Sequence, residues 1–189
     1  RIENIDLPRS KPHWIELILE DLRWVELHWD EGPDIGGAYH PYVQSERLDR
    51  YEDAFQKLQE QHRIYPCYCS RAELMSVASA PHGLTSEGPV YPGTCRHLSD
   101  EERTWRAETK SPSFRFAVPQ DIPVSFVDGC LGPQYFAPGA GGDFVVKRAD
   151  GIYAYQLAVV VDDAAMEITD VLRGADLLDS TPRQLWLYE

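Results

Sequence analysis

Cys67 and Cys69 stand one residue apart in YPCYCSR (65–71), and Cys95 closes VYPGTC (90–95). Thiols at i and i+2 rarely reach the Cα separation and Cβ orientation that a disulfide needs without strain. On an extended strand they point to the same side, so both can face one ligand. Three thiols in this arrangement suit a metal ion better than a covalent bridge, the plain alternative being ordinary buried thiols. The fourth cysteine, Cys130 in DGCLGP, fits no ligand spacing and is expected to be a packed small residue.

The elements that must carry these residues are legible in outline. Residues 10–27 place Trp14, Leu17, Ile18, Leu22 and Val25 at helical spacing, with Ser10 as N-cap and Pro12 in the first turn. WDEGPDIGGAYHPY (29–42) is rich in Gly and Pro and reads as loop. Residues 45–61 predict a second helix capped by Ser45, burying Leu48, Tyr51, Ala54, Phe55 and Leu58. RIYPCYC reads as a strand, 78–93 as a loop, and LSDEERTWRAE as a charged helix capped by Ser99. SFRFAVP, VSFVD and DFVVKR predict a small antiparallel sheet. GIYAYQLAVVVDDA fits a helix or a buried strand, and periodicity does not choose between them. Ile168–Leu172 reads as a buried parallel-type strand, and Thr181 as the N-cap of a last helix with Pro182 at its first position.

Composition narrows the class of function. At 43% hydrophobic and 26% charged, the chain can build one or two cores. A net charge of −13 disfavours indiscriminate nucleic-acid binding, which depends on surplus Lys and Arg, but leaves room for a locally basic face. Neither a leader with an apolar h-region nor an apolar run near membrane length is visible, so the expectation is a cytoplasmic protein with no membrane partner. In such a compartment cysteines are reduced or metal-bound rather than paired. RIENID begins without a Met and in mid-pattern, so the start of a longer protein is expected to be missing.

RIENIDLPR, WDEGPDIGG, YVQSERLDRYEDAFQKL, DGIYAYQLAVVVDDA and ITDVLRGADLLDSTPRQ, in this order, resemble the catalytic part of the class I glutamyl-type tRNA synthetases along almost the whole chain. YPCYCSR followed by VYPGTCR is similar to the zinc-bearing branch, and RGADLLDSTPRQ with YAYQLAVVVDD to the stand-alone glutamyl-queuosine tRNA(Asp) synthetases. The resemblance implies an α/β fold: a class I Rossmann-type catalytic domain, residues 1–64 and 146–189, interrupted by a small zinc-containing α+β insert at 65–145. It implies activation of glutamate with ATP and Mg2+, transfer to queuosine in the anticodon of tRNA(Asp), and a monomer. Zinc would be held by Cys67, Cys69, Tyr91 and Cys95, and glutamate by Glu3, Tyr155 and Arg173. The donor chemistry agrees: thiolates suit zinc, a carboxylate accepts from an ammonium, and an arginine fork matches a carboxylate. The bland alternatives are a surface carboxylate, a core tyrosine and a solvated arginine.

Asp162 and Asp163 fit either a contact to the acceptor nucleoside or pocket side chains, or a helix cap or solvated turn. The family's HIGH-type and KMSKS-type signatures, which would serve ATP, are not in these residues, so no catalytic residue is assigned and the chain alone is expected to be inactive. Asn4 stands where the family has an acidic residue, and Glu26 and Glu167 where it tends to have glycine. The rival readings are a fragment of an ordinary glutamyl-tRNA synthetase and a non-catalytic zinc module binding RNA or protein.

Overall fold

The computed structural model describes residues 1–70, 72–74, 84–85 and 88–189. In chain order its elements are α1 (Pro12–Trp24), α2 (Leu48–Glu60), β1 (Ile64–Cys67), β2 (Leu84–Thr85), β3 (Gly88–Pro89), α3 (Asp100–Thr109), β4 (Ser113–Phe116), β5 (Val124–Asp128), β6 (Gly132–Phe136), β7 (Phe144–Lys147), α4 (Tyr155–Ala165) and α5 (Thr181–Tyr188). Two 3-10 turns, Gln44–Glu46 and Ala175–Ser180, complete it. Much of the expected 78–93 loop lies outside the described residues; within it β2 and β3 pair antiparallel.

The central sheet is antiparallel with strand order β1–β4–β7. Ile64 pairs with Phe116 and Pro66 with Phe114, while Tyr65 pairs with Arg115 and Cys67 with Ser113. Because side chains alternate along a strand, one face of this ladder meets the main core and the other meets the cysteines. On the core face, α2, α4 and α5 contribute Tyr51, Phe55, Leu157, Ala158 and Trp186 to a cluster with Ile64, Phe116, Phe144 and Val146. The Phe55 and Phe114 rings meet edge to face at 5.0 Å, a geometry that aromatic pairs favour. This core draws on residues from all three stretches 1–64, 65–145 and 146–189.

The undecided segment 151–164 contains a helix, α4, nearly all of whose first two turns are buried. Ser99 caps α3 through a complete capping box with Glu102, as the sequence suggests. Three other caps shift. α1 starts from Lys11 without a side-chain cap, with Pro12 at its first position, while Ser10 belongs to the preceding turn, its N–H donating to the Asp6 carbonyl. α2 starts from Arg47, since Ser45 is held by Asn4: Asn4 Nδ2 donates to Ser45 Oγ at 3.0 Å, and the Ser45 N–H donates to Asn4 Oδ1 at 2.9 Å. That clamp also accounts for an amide at position 4. Ser180 rather than Thr181 precedes α5.

Two strand expectations change. VSFVD forms β5, but its partner is β6 in a separate hairpin, and β1 takes its place in the sheet beside β4. Residues 168–172 are not a buried strand: Val171 is 62% and Leu172 95% exposed, and among the described residues no strand pairs with them. Their β-branched apolar character is local, whereas a strand needs a neighbour to complete its hydrogen bonds. The α1 stripe is also left open, with Trp14, Leu17 and Ile18 exposed.

Candidate functional site

A cleft of about 680 Å³ opens between the N-terminal segment, the start of α4 and residues 168–173. A parallel bridge between Ile2 and Val43 fixes the N-terminal segment beside the 3-10 turn that leads into α2. Glu3, Tyr155 and Arg173 all line the cleft, although they come from both ends of the chain. Tyr155 opens α4. Arg173 is braced by α5, its Nη1 donating to Gln184 Oε1 at 2.7 Å and its Nη2 to Thr181 Oγ1. The fork is thus oriented by α5 and, among the described residues, makes no ion pair with a carboxylate. Glu3 accepts from Arg1 Nη2 at 3.0 Å through one oxygen. Asp30, Glu31, Asp163 and Asp170 add carboxylates to a wall that is otherwise largely aromatic and aliphatic. The Tyr39 hydroxyl donates to Glu167 at 2.7 Å and the Tyr42 hydroxyl donates to Glu31. Burial and the neighbouring carboxylate hold the Tyr42 hydroxyl above its ordinary range.

The two aspartates of α4 divide their work. Asp162 is fully buried and accepts from Arg47 Nε at 2.6 Å, Tyr51 Oη at 2.9 Å and Gln44 Nε2 at 3.1 Å. It is neither a cap nor a wall of the cleft but the anion that joins α4 to α2. Burial, and then the Asp162 charge, raise the Tyr51 hydroxyl well above its usual range, keeping it a donor. Asp163 reaches the cleft and takes Arg1 Nη1 at 2.6 Å. Arg1 therefore bridges Asp163 to Glu3, a role with no sequence signal, since nothing local marks a partner 162 positions away.

The cysteines converge as their spacing suggests. The sulfurs of Cys67, Cys69 and Cys95 lie within 4.8 Å of one another. Cys69 Sγ and Cys95 Sγ are 3.7 Å apart. A tetrahedral zinc with bonds near 2.3 Å would set its sulfurs about 3.8 Å apart, so the spacing fits. The Tyr91 hydroxyl lies 3.4 Å from Cys67 Sγ and 3.8 Å from Cys69 Sγ, and accepts from the Cys95 N–H at 2.7 Å. It therefore lies beside the sulfur cluster. Cys67 and Cys95 are almost wholly buried, while Cys69, just past β1, is half-buried. Burial pushes the Cys67 thiol up, but its hydrogen bonds with Tyr91 and Arg115 outweigh this and leave it below its ordinary value. Burial and the neighbouring Cys67 push Cys69 up to about 11. Three thiols converging on one small volume make a group that could hold a metal ion. Cys130 sits apart and is exposed on the turn after β5, so it is not the packed residue expected of it; in a hairpin this short the turn has no core to enter.

The family model for the catalytic domain of class I tRNA synthetases (E and Q) matches residues 1–189. A glutamyl-Q tRNA(Asp) synthetase of Symbiobacterium thermophilum is 65% identical over all of this chain, which covers 58% of that protein. The glutamate–tRNA ligase of the same organism is 43% identical, with 39% of its length covered. Among solved structures, a glutamate tRNA ligase from Elizabethkingia meningosepticum, crystallised in complex with its amino acid, superposes on the whole chain with a TM-score of 0.82 at 30% identity, over 39% of its own length. The chain thus spans little more than half the length of the glutamyl-Q tRNA(Asp) synthetases that it matches. Among the described residues no helix is long and apolar enough to cross a membrane. With the family model covering its whole length and the chain superposing on a synthetase of this type, it belongs to the class I tRNA synthetases of the E and Q type, as part of their Rossmann-type catalytic domain.

Proposed function

We propose that this chain is the glutamate-binding core of a glutamyl-queuosine tRNA(Asp) synthetase, an enzyme that activates glutamate with ATP and transfers it to queuosine in the anticodon of tRNA(Asp). The observation that carries the reading is the convergence of Glu3, Tyr155 and Arg173 on one cleft in a chain 65% identical to a protein of that name. Glu3 takes the substrate ammonium, helped by the other carboxylates of the wall. Arg173, held by Gln184 and Thr181, offers its fork to a carboxylate. Tyr155 adds a flat wall and a hydroxyl. With both ends of the amino acid held, its reacting carboxylate can be presented to the α-phosphorus of Mg2+-ATP, and positioning of this kind accounts for much of the acceleration in such a step. ATP and tRNA contacts are assigned to no residue here.

In the same reading Cys67, Cys69, Tyr91 and Cys95 would hold a zinc ion, which supplies a closed structural centre and folding free energy. We retain 65–145 as the zinc-bearing insert between two catalytic-domain parts, 1–64 and 146–189, and read the whole enzyme as a cytoplasmic monomer. The test is charging by the full-length protein with radiolabelled glutamate. Queuosine-bearing tRNA(Asp) should be charged and tRNA(Glu) left uncharged, with glutamyl-adenylate formed in the absence of tRNA. Charging of tRNA(Glu) would instead favour an ordinary glutamate–tRNA ligase.

A further inference from the structure

We infer that Arg115 is the charge-compensating, positioning residue of the metal centre: a buried cation that neutralises the surplus negative charge of a three-thiolate zinc site. The inference rests on the zinc reading above and extends it beyond the four donors. Arg115 lies on β4 opposite Tyr65, one diagonal step from Cys67 across the β1–β4 ladder. A long side chain spans such a diagonal, and Arg115 Nε donates to Cys67 Sγ at 3.3 Å. Its guanidinium lies over the Tyr91 ring, 3.9 Å from the centroid. Nη1 donates to the Asp143 carbonyl at 3.0 Å, fixing the plane of the fork. One guanidinium therefore touches two of the four proposed ligands and is oriented by a third group.

The charge count makes this necessary. A divalent ion with three thiolates and a neutral phenol carries one net negative charge. Cys67 and Cys95 are 1% and 0% exposed, so two of the three thiolates, including the one that Arg115 touches, are shut away from water. Arg115 is only 8% exposed and, among the described residues, forms no ion pair with a carboxylate. A buried cation and a buried anion are each costly alone and tolerable together. The thiolate cluster is the anion that this arginine faces. Partners of this kind around metal ligands typically affect metal affinity by about ten- to a hundredfold.

The test is a double-mutant cycle on the full-length protein, with zinc affinity read by competition against a metallochromic chelator, independently of any enzymatic activity. Arg115→Met keeps an unbranched apolar stem and removes the charge; zinc should bind roughly ten- to a hundredfold more weakly. Arg115→Lys restores a charge and should recover most of the loss. Cys69→His replaces a half-exposed thiolate that Arg115 does not touch with a neutral ligand, taking the site's net charge to zero. In that background Arg115→Met should cost less than about threefold, because no surplus charge remains to compensate. An equal cost in both backgrounds, or a lysine variant as weak as the methionine one, overturns the charge role and leaves a packing role. A wild-type protein that takes up no zinc removes the metal reading itself, whereas zinc uptake indifferent to Arg115 removes this inference alone.

Discussion

Arg173 and Glu3 illustrate how a pocket can be built from side chains that have no local reason to meet. Each is supported by a neighbour that sequence alone does not announce: Gln184 and Thr181 behind Arg173, Arg1 beside Glu3. On the proposed function, Arg173→Lys in the full-length enzyme should raise the glutamate requirement for adenylate formation by roughly ten- to a hundredfold, the equivalent of about 1.5–3 kcal/mol, and leave the ATP requirement nearly unchanged. Lysine keeps the charge but loses both the paired geometry and the bracing from α5. Pyrophosphate exchange measured against each substrate checks this, and an effect confined to ATP would remove Arg173 from the amino-acid pocket. The ligand types were legible in the sequence because thiols, a carboxylate and an arginine declare their chemistry. Asp162 and Arg115 were harder to read, since their roles depend on partners brought by folding from 115 and 48 positions away.

Three helices end in the same way. After α1, α2 and α4 the chain turns through Glu26, His62 and Glu167 with φ of 60°, 55° and 54°. In each the 6→1 and 5→2 hydrogen bonds of a Schellman motif are present: Leu27 to Leu22 with Glu26 to Arg23, Arg63 to Leu58 with His62 to Gln59, and Ile168 to Asp163 with Glu167 to Ala164. Two of the three are the positions where the sequence departs from the family's glycine, so the departure carries backbone strain. The left-handed conformation costs a side-chain-bearing residue roughly 1–2 kcal/mol, partly offset by the greater freedom of glycine in the unfolded chain. Glu26→Gly and His62→Gly should therefore each stabilise the protein by about 1 kcal/mol in urea unfolding, and an unchanged or lower midpoint would argue against strain. Glu167 is a less clean test because it also accepts from Tyr39. Elements with local signals, such as α2 and the capping box of α3, were readable from the sequence. β6 was not, because its Gly132-Pro133 start resembles a turn, and 168–172 has strand-like composition but no strand partner among the described residues.

At the scale of the whole molecule, the proposed insert and its flanks share one core, since β1, β4 and β7 pack against α2, α4 and α5. Removing a bound metal should accordingly weaken the entire chain in one cooperative transition rather than melt an independent insert. Chelation of the zinc-loaded protein is expected to lower its melting temperature by at least about 5 °C, given that 1 kcal/mol corresponds to roughly 2–4 °C at this size. Calorimetry resolving a separate early transition would show instead that the insert unfolds by itself. The shared strand has another consequence. On β1, Ile64 and Pro66 lie opposite Phe116 and Phe114 toward the aromatic core, while Tyr65 and Cys67 lie opposite Arg115 and Ser113 toward the sulfur cluster. A slip of one residue would exchange the two sets, presenting thiol to the aromatics and aliphatic carbon to the metal donors. Capture of an ion by Cys67 is possible only in the native alignment, so the metal would act as a proofreader of strand register, rewarding the one pairing that also closes the core.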